Sequence, residues 1–187
     1  YNRSSYFCKW GIIYLMKRVV ITGMGIASPL GSKVSTAFER LKTYKNCIKY
    51  WELLDKYENL NTRLVSTVEG FEAPEHFDRK IKRTMGSVAI MAVTTAEEAL
   101  ADAGLLNNEI ITNGQTGVSY GSSSGSLDAI LDFYSMCVEN KVKNLNSGSY
   151  IKMMPQTTAV NISLYFKTHG RLINSSTACT SGSMGIG

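Results

Sequence analysis

Histidine, cysteine and proline are scarce in this chain, and the first two scarcities remove whole classes of function. Two histidines (His76, His169) and four cysteines (Cys8, Cys47, Cys137, Cys179) lie far apart, with no C-x-x-C pair. Neither the ligand spacing of a zinc site nor a disulfide framework is present, and the thiols read as reduced and intracellular, with a cytoplasmic location expected. No apolar run approaches the ~18 residues of a membrane span. Basic residues are scattered, without an aromatic-interleaved stripe or a zinc-finger pattern, so neither nucleic acid nor membrane is an expected partner. The stretch GMGIAS (residues 23–28) lacks the third glycine of a dinucleotide fingerprint. Pro29 also interrupts the helix that should receive a pyrophosphate, which argues against such a cofactor.

What is present suits one globular unit. With 187 residues, 44% of them hydrophobic and 19% charged, the chain can bury one proper core and is too short for two ordinary ones. A formal charge of +5 favours an acidic partner. The first methionine is Met16, and an orderly pattern starts only there. Residues 1–15 are therefore expected to be a leader or a non-native segment.

Strand and helix patterns alternate from that point. KRVVITGMG (17–25) reads as a buried strand ending in a glycine turn, followed by a short helix over 35–41 with Ser35 as N-cap. RLVSTV (63–68) alternates like a strand. The clearest helix covers 84–103, where Val88, Met91, Ala92, Thr95, Ala96, Ala99, Leu100 and Ala103 recur at helical spacing and Gly104 supplies the stop. A third strand over 116–120 runs into GSSSGS (121–126), then a helical pattern through Leu127, Ile130, Leu131, Tyr134 and Val138. A polar loop is expected over 140–149. Pro155 opens an apolar helix reaching Phe166, and RLINSS (171–176) leads as a strand into Thr177, Ala178 and Cys179. Such alternation indicates an α/β layered fold.

The last stretch, SSTACTSGSMGIG (175–187), places one thiol among very small residues. A strand turning sharply into a helix lifts the turn residue's side chain clear of the backbone, the geometry of a nucleophile elbow. Free amides at the helix start favour a thiolate and can hold an oxyanion. On composition alone, a small cysteine filling a close packing contact is the commoner case.

Several ordered motifs resemble one family. MKRVVITGMGIASPLG (16–31) and STACTSGSMGIG (176–187) look like the start and the nucleophile motif of β-ketoacyl-acyl-carrier-protein synthases of the KAS I/KAS II branch. GSSSGS, ADAGL (101–105) and YFKTHG (165–170) are similar to further family segments lying between them. The resemblance implies a thiolase-like α-β-α-β-α fold, of which residues 16–187 would be the first of two similar halves, ending just after the nucleophile. It also implies 3-oxoacyl-[acyl-carrier-protein] synthase activity in fatty-acid or related polyketide synthesis. Cys179 matches the acyl-accepting cysteine, and Lys80 and Arg83 in FDRKIKRTMG (77–86) match the basic positions that receive the carrier protein. Ser124 lies where some members carry an acyl-pocket residue. The family's two catalytic histidines and its lysine belong to the second half, and neither His76 nor His169 matches them. Acyl carrier protein, malonyl and acyl thioesters and a homodimeric partner copy are the implied partners. No cofactor or metal is implied beyond the phosphopantetheine that arrives on the carrier, and residues 16–187 alone are expected to be inactive in condensation. Met184 and residues 144–149 depart from the family pattern. A non-catalytic partner subunit and a thiolase-type acyl-coenzyme-A acyltransferase share the fold, although such partner subunits typically lack the cysteine.

Overall fold

The computed structural model describes residues 18–142 and 145–187. The expected leader lies outside them. Its centre is a parallel pair of short strands, β3 (Val118–Gly121) and β4 (Leu172–Ser175), in register from Val118 opposite Leu172 to Gly121 opposite Ser175. Parallel pairing needs a long crossover. Here the crossover carries three helices, α4 (Asp128–Glu139), α5 (Ser147–Met153) and α6 (Gln156–Phe166). Before the strands come α1 (Val34–Lys42), the antiparallel two-residue strands β1 (Lys49–Tyr50) and β2 (Leu64–Val65), α2 (Arg79–Lys82) and α3 (Ser87–Asp102). No helix among the described residues is long and apolar enough to cross a membrane.

The core sits between α3 and α6 and is capped by the loop entering α2. Phe77, Met85, Ala89, Ala92, Val93 and Ile162 form its buried cluster, with Val118 and Tyr120 of β3 packed against it. Alanines let α3 approach closely, and the two β-branched residues at the centre, Val93 and Ile162, interlock without flexible side chains to order. Burial pushes the Tyr120 phenol up from its ordinary value.

The face of α3 expected to meet the sheet is only partly the buried one. Ala89, Ala92 and Val93 are fully buried against the core, whereas Thr95 and Ala99 carry a different neighbour. Gly23 and Gly25 lie directly on that stripe: a methyl built on Gly23 would overlap the carbonyl oxygen of Ala99, and one on Gly25 that of Thr95. The Met24 N–H donates to Asp102 Oδ2 at 3.0 Å, fastening the segment near the end of the helix.

Three local expectations are corrected. The 17–25 run, described from residue 18, is not a strand: it has no ladder partner among the described residues, and Val19, Val20 and Ile21 are 93%, 66% and 84% exposed. A β-branched run signals the wish to pair, but pairing needs an edge to receive it. Ser35 does not cap α1; Lys33 holds the N-cap position without a side-chain bond, and Ser35 falls inside the helix. Part of the expected polar loop over 140–149 belongs to α5, because Asn146 accepts from the amides of Gly148 and Ser149 and so caps a new helix start.

Candidate functional site

Both chemically suggestive stretches emerge from the carboxyl ends of the two parallel strands, the edge at which open α/β sheets place their ligands. β4 runs into a 3₁₀ turn (Ala178–Thr180) and then α7 (Ser181–Ile186). β3 runs into the glycine–serine segment, and the Ser122 N–H donates to the Ser175 carbonyl at 3.0 Å, so the two exits remain paired past the ladder.

Cys179 sits on the 3₁₀ turn with an exposed side chain. The residue before it holds the turn sharp: Ala178 has φ +52°, a left-handed conformation that costs an alanine of order 1 kcal/mol. Buried Ser181 supplies the compensation. Its hydroxyl donates to the Ala178 carbonyl at 2.7 Å and accepts from the Thr177 N–H at 2.9 Å, while its own carbonyl accepts from Ser175 Oγ at 3.0 Å. Thr180 Oγ1 adds a bond to the Thr177 carbonyl at 2.7 Å. A thiol is thus presented outward by a turn whose polar groups are tied together, and Cys179 fills no buried packing contact among the described residues. The other two described cysteines, Cys47 on the loop after α1 and Cys137 on α4, are free thiols.

Small residues under the turn have a definite purpose. A Cβ on Gly121 would overlap the Ser181 carbonyl, and one on Gly185 would stand 3.0 Å from the Gly121 nitrogen, so α7 lies directly on the end of β3. Ser119 Oγ also donates to the Gly185 carbonyl at 2.5 Å. Gly182, in the same helix, meets nothing. Replacing Gly121 with alanine is therefore expected to destabilise the fold by about 1–3 kcal/mol and to slow alkylation of Cys179. Gly182→Ala should cost nothing, and by helix propensity should gain up to about 1 kcal/mol. Thermal unfolding and iodoacetamide kinetics on the two variants check this; equal effects at both positions would refute the contact.

The glycine–serine segment also reaches the basic one. Ser126 is buried, and its Oγ accepts from the Val88 N–H at 3.1 Å, capping α3 from 38 positions away. Gly86 is the position that permits this, since a Cβ there would run into the Ser126 side chain. Ser87 Oγ adds a bond to Asp128 Oδ1 at 3.1 Å. Ser124 is exposed, and Ser122 Oγ donates to its carbonyl at 2.6 Å. A cavity of about 730 Å³ between the 23–26 segment, α3 and β3 is lined by neither Cys179 nor Ser124.

Lys80 and Arg83 stand on and just after α2, both exposed. The Asp78 carboxylate caps that helix through the Ile81 N–H at 2.8 Å. His76 is exposed and pairs with Glu97 at 3.0 Å, remote in sequence from the nucleophile turn; His169 is exposed as well. Glu97 also accepts from Tyr165 at 3.3 Å, and burial, then the Glu97 charge, push that phenol up, so it remains the donor. Sequence reasoning missed the left-handed Ala178, the Ser181 clamp and the distant Ser126 cap. Only Ser181 left a signal, a serine three residues beyond Ala178, where hydroxyls commonly bond back to the backbone.

Comparison with known proteins completes the description. The family profile for the N-terminal domain of beta-ketoacyl synthase matches residues 16–187. The chain is 30% identical over 171 residues to 3-oxoacyl-[acyl-carrier-protein] synthase 2 of Vibrio cholerae and 32% identical over the same length to that of Vibrio harveyi. Each match covers 91% of this chain and 41% of the relative. Among solved structures, a beta-ketoacyl synthase from Burkholderia phymatum superposes with a TM-score of 0.82 at 45% identity, covering 90% of this chain and 41% of that one. The ketosynthase AntDE, solved with the acyl-carrier protein AntF and bound to a hexaketide, shares the fold with a TM-score of 0.69 at 18% identity, covering 90% of this chain and 44% of that one. The chain therefore spans less than half the length of the relatives it matches.

Proposed function

Because this chain belongs to the beta-ketoacyl synthase family, with that family's N-terminal domain over residues 16–187, we propose that it supplies the acyl-accepting half of a 3-oxoacyl-[acyl-carrier-protein] synthase. The observation that carries this reading is the exposed Cys179 on a strained, hydroxyl-clamped turn between a parallel strand and a helix. The Cys179 sulfur attacks the carbonyl of an acyl thioester, forming a new C–S bond as the donor thiol departs with a proton. A malonyl thioester then loses CO₂; the electrons of the broken C–C bond form a carbanion that attacks the acyl-cysteine and releases the Cys179 thiolate. Splitting the condensation in this way gives two easier steps. An oxyanion formed in the first step would need backbone amides near Cys179 other than those of Thr180 and Ser181, which already donate to the Thr177 and Ala178 carbonyls. Ser124, one exit loop away from the turn, borders the acyl chain.

Acyl carrier protein is the donor, met at Lys80 and Arg83. Two exposed cations steer an acidic partner toward the α2 end of the molecule. In solution the protein works as a homodimer, with β4 as the joining strand: β3 is its only ladder neighbour among the described residues, and Leu172 and Ile173 stay exposed. Its place is the cytoplasm, and it needs no cofactor of its own.

Intact-mass spectrometry after incubation with acyl-carrier protein or with acyl-coenzyme A tests the reading. Loading from carrier is expected; loading from coenzyme A alone would favour a thiolase-type transferase. Reversing both charges, Lys80→Glu with Arg83→Glu, should raise KM for the carrier-bound donor about tenfold or more and spare a small acyl-coenzyme-A donor. Equal loss with both donors would refute the docking role.

A further inference from the structure

Five cations near α2 and the end of α6 have no acidic partner among the described residues: Arg79, Lys80, Lys82, Arg83 and Lys167. Two of them, Lys80 and Lys167, come from elements 87 positions apart and line one cleft of about 570 Å³ between α2 and α6. Its floor is polar and already satisfied: Thr84 Oγ1 donates to Asn161 Oδ1 at 2.8 Å, and Asn161 Nδ2 donates to the Thr84 and Thr157 carbonyls at 3.3 and 2.8 Å. Its rim is not. Leu164 is 65% exposed there, one helical turn from Lys167. The carboxylates nearby are engaged, Asp78 in capping α2 and Glu97 with His76 and Tyr165.

Lys167 also occupies an unusual backbone position. It follows the last residue of α6 at φ +54°, where helices ordinarily place glycine. A Cβ there costs of order 1 kcal/mol, so glycine would be the locally favoured residue.

We propose that the cleft between α2 and the end of α6 is a second contact point for the acidic carrier protein, with Lys167 taking a carboxylate and Leu164 an apolar side chain of the same carrier helix. The proposal rests on the carrier-dependent reading given above. Charge complementarity selects the occupant: an exposed leucine one helical turn before an unpaired cation, with a second unpaired cation from α2 lining the same cleft, fits an amphipathic acidic helix and gives an uncharged surface nothing to pair with.

Binding of fluorescently labelled acyl-carrier protein to the protein, followed by anisotropy at low and moderate salt, tests it. Lys167→Glu is expected to raise Kd about tenfold and Leu164→Ser about threefold, with the salt dependence weakened for the first only. Loading of Cys179 from a small acyl-coenzyme A, and the unfolding midpoint, should not move. A carrier variant with one helix carboxylate changed to lysine should restore affinity for Lys167→Glu. Should the glutamate disturb the turn, Lys167→Asn, which suits a left-handed backbone, carries the same test with a smaller rise. An unchanged Kd for the Lys167 and Leu164 variants, beside a weakened Lys80→Glu, Arg83→Glu protein, would overturn this proposal and leave the docking reading standing. An unchanged Kd for all of them would remove both.

Discussion

Cys179→Ala is expected to abolish acyl loading, with no acyl adduct by intact mass and a fall of at least about 10³-fold in any condensation rate of a complete synthase carrying it. The reason is chemical: Cys179 carries the only sulfur on the turn, and its neighbours Thr177, Thr180 and Ser181 offer only hydroxyls, those of Thr180 and Ser181 donating to the Thr177 and Ala178 carbonyls. Stability should change by less than about 0.5 kcal/mol, because the side chain is exposed and packs on nothing. Cys47→Ala and Cys137→Ala serve as comparisons and should load normally. Cys47 lies 3.8 Å from the Arg40 guanidinium, and Cys137 is exposed on α4, so both are open to general alkylation. An acyl adduct that survives Cys179→Ala, or that maps to either of those thiols, would overturn the nucleophile assignment.

The largest stability effect is expected at Phe77. Its ring is 1% exposed, lies 5.0 Å from the ring of Tyr165 between centroids and 4.9 Å from that of His76, and joins the cluster formed by Met85, Ala89, Ala92, Val93 and Ile162. Phe77→Ala should cost about 3–5 kcal/mol by lost burial and a residual void, a large fraction of the 5–15 kcal/mol typical of a domain. Phe77→Leu should cost roughly half as much. A functional consequence follows from position. Phe77 is the anchor immediately before α2, so its loss frees the helix that carries Lys80 from the core, and carrier binding should fall even at temperatures where the alanine variant remains folded. Urea titration together with carrier anisotropy measures both. A cost under about 1 kcal/mol would mean that the α2 segment is held by its hydrogen bonds rather than by this ring.

Much of the architecture was legible in residue order where the signal is local. The helix stop at Gly104, the Pro155 helix start and the two strands expected over 116–120 and 171–176, found at Val118–Gly121 and Leu172–Ser175, follow from periodicity and from the particular chemistry of glycine and proline. Each needs only neighbours within one or two turns. The 17–25 run shows the limit of that reasoning. Its β-branched residues meet the local requirement for a strand, yet Val19, Val20 and Ile21 remain exposed, and the part of the run that packs does so through Gly23 and Gly25 on a helix. The stripe of α3 that receives those glycines was visible as a face, though not what would lie on it.

For the site, the order of residues alone placed Cys179 between a strand and a helix among small neighbours, because a tight turn imposes those residue types within a few positions. Tertiary structure decided the rest. It set Ala178 in the left-handed region and made Ser181 the clamp that holds it there, brought Ser126 across 38 positions to cap α3, and placed Lys167 opposite Lys80 over one cleft. Those features are meetings between distant segments, and their free energy arises only when both partners leave water together, which no pattern within a single segment encodes.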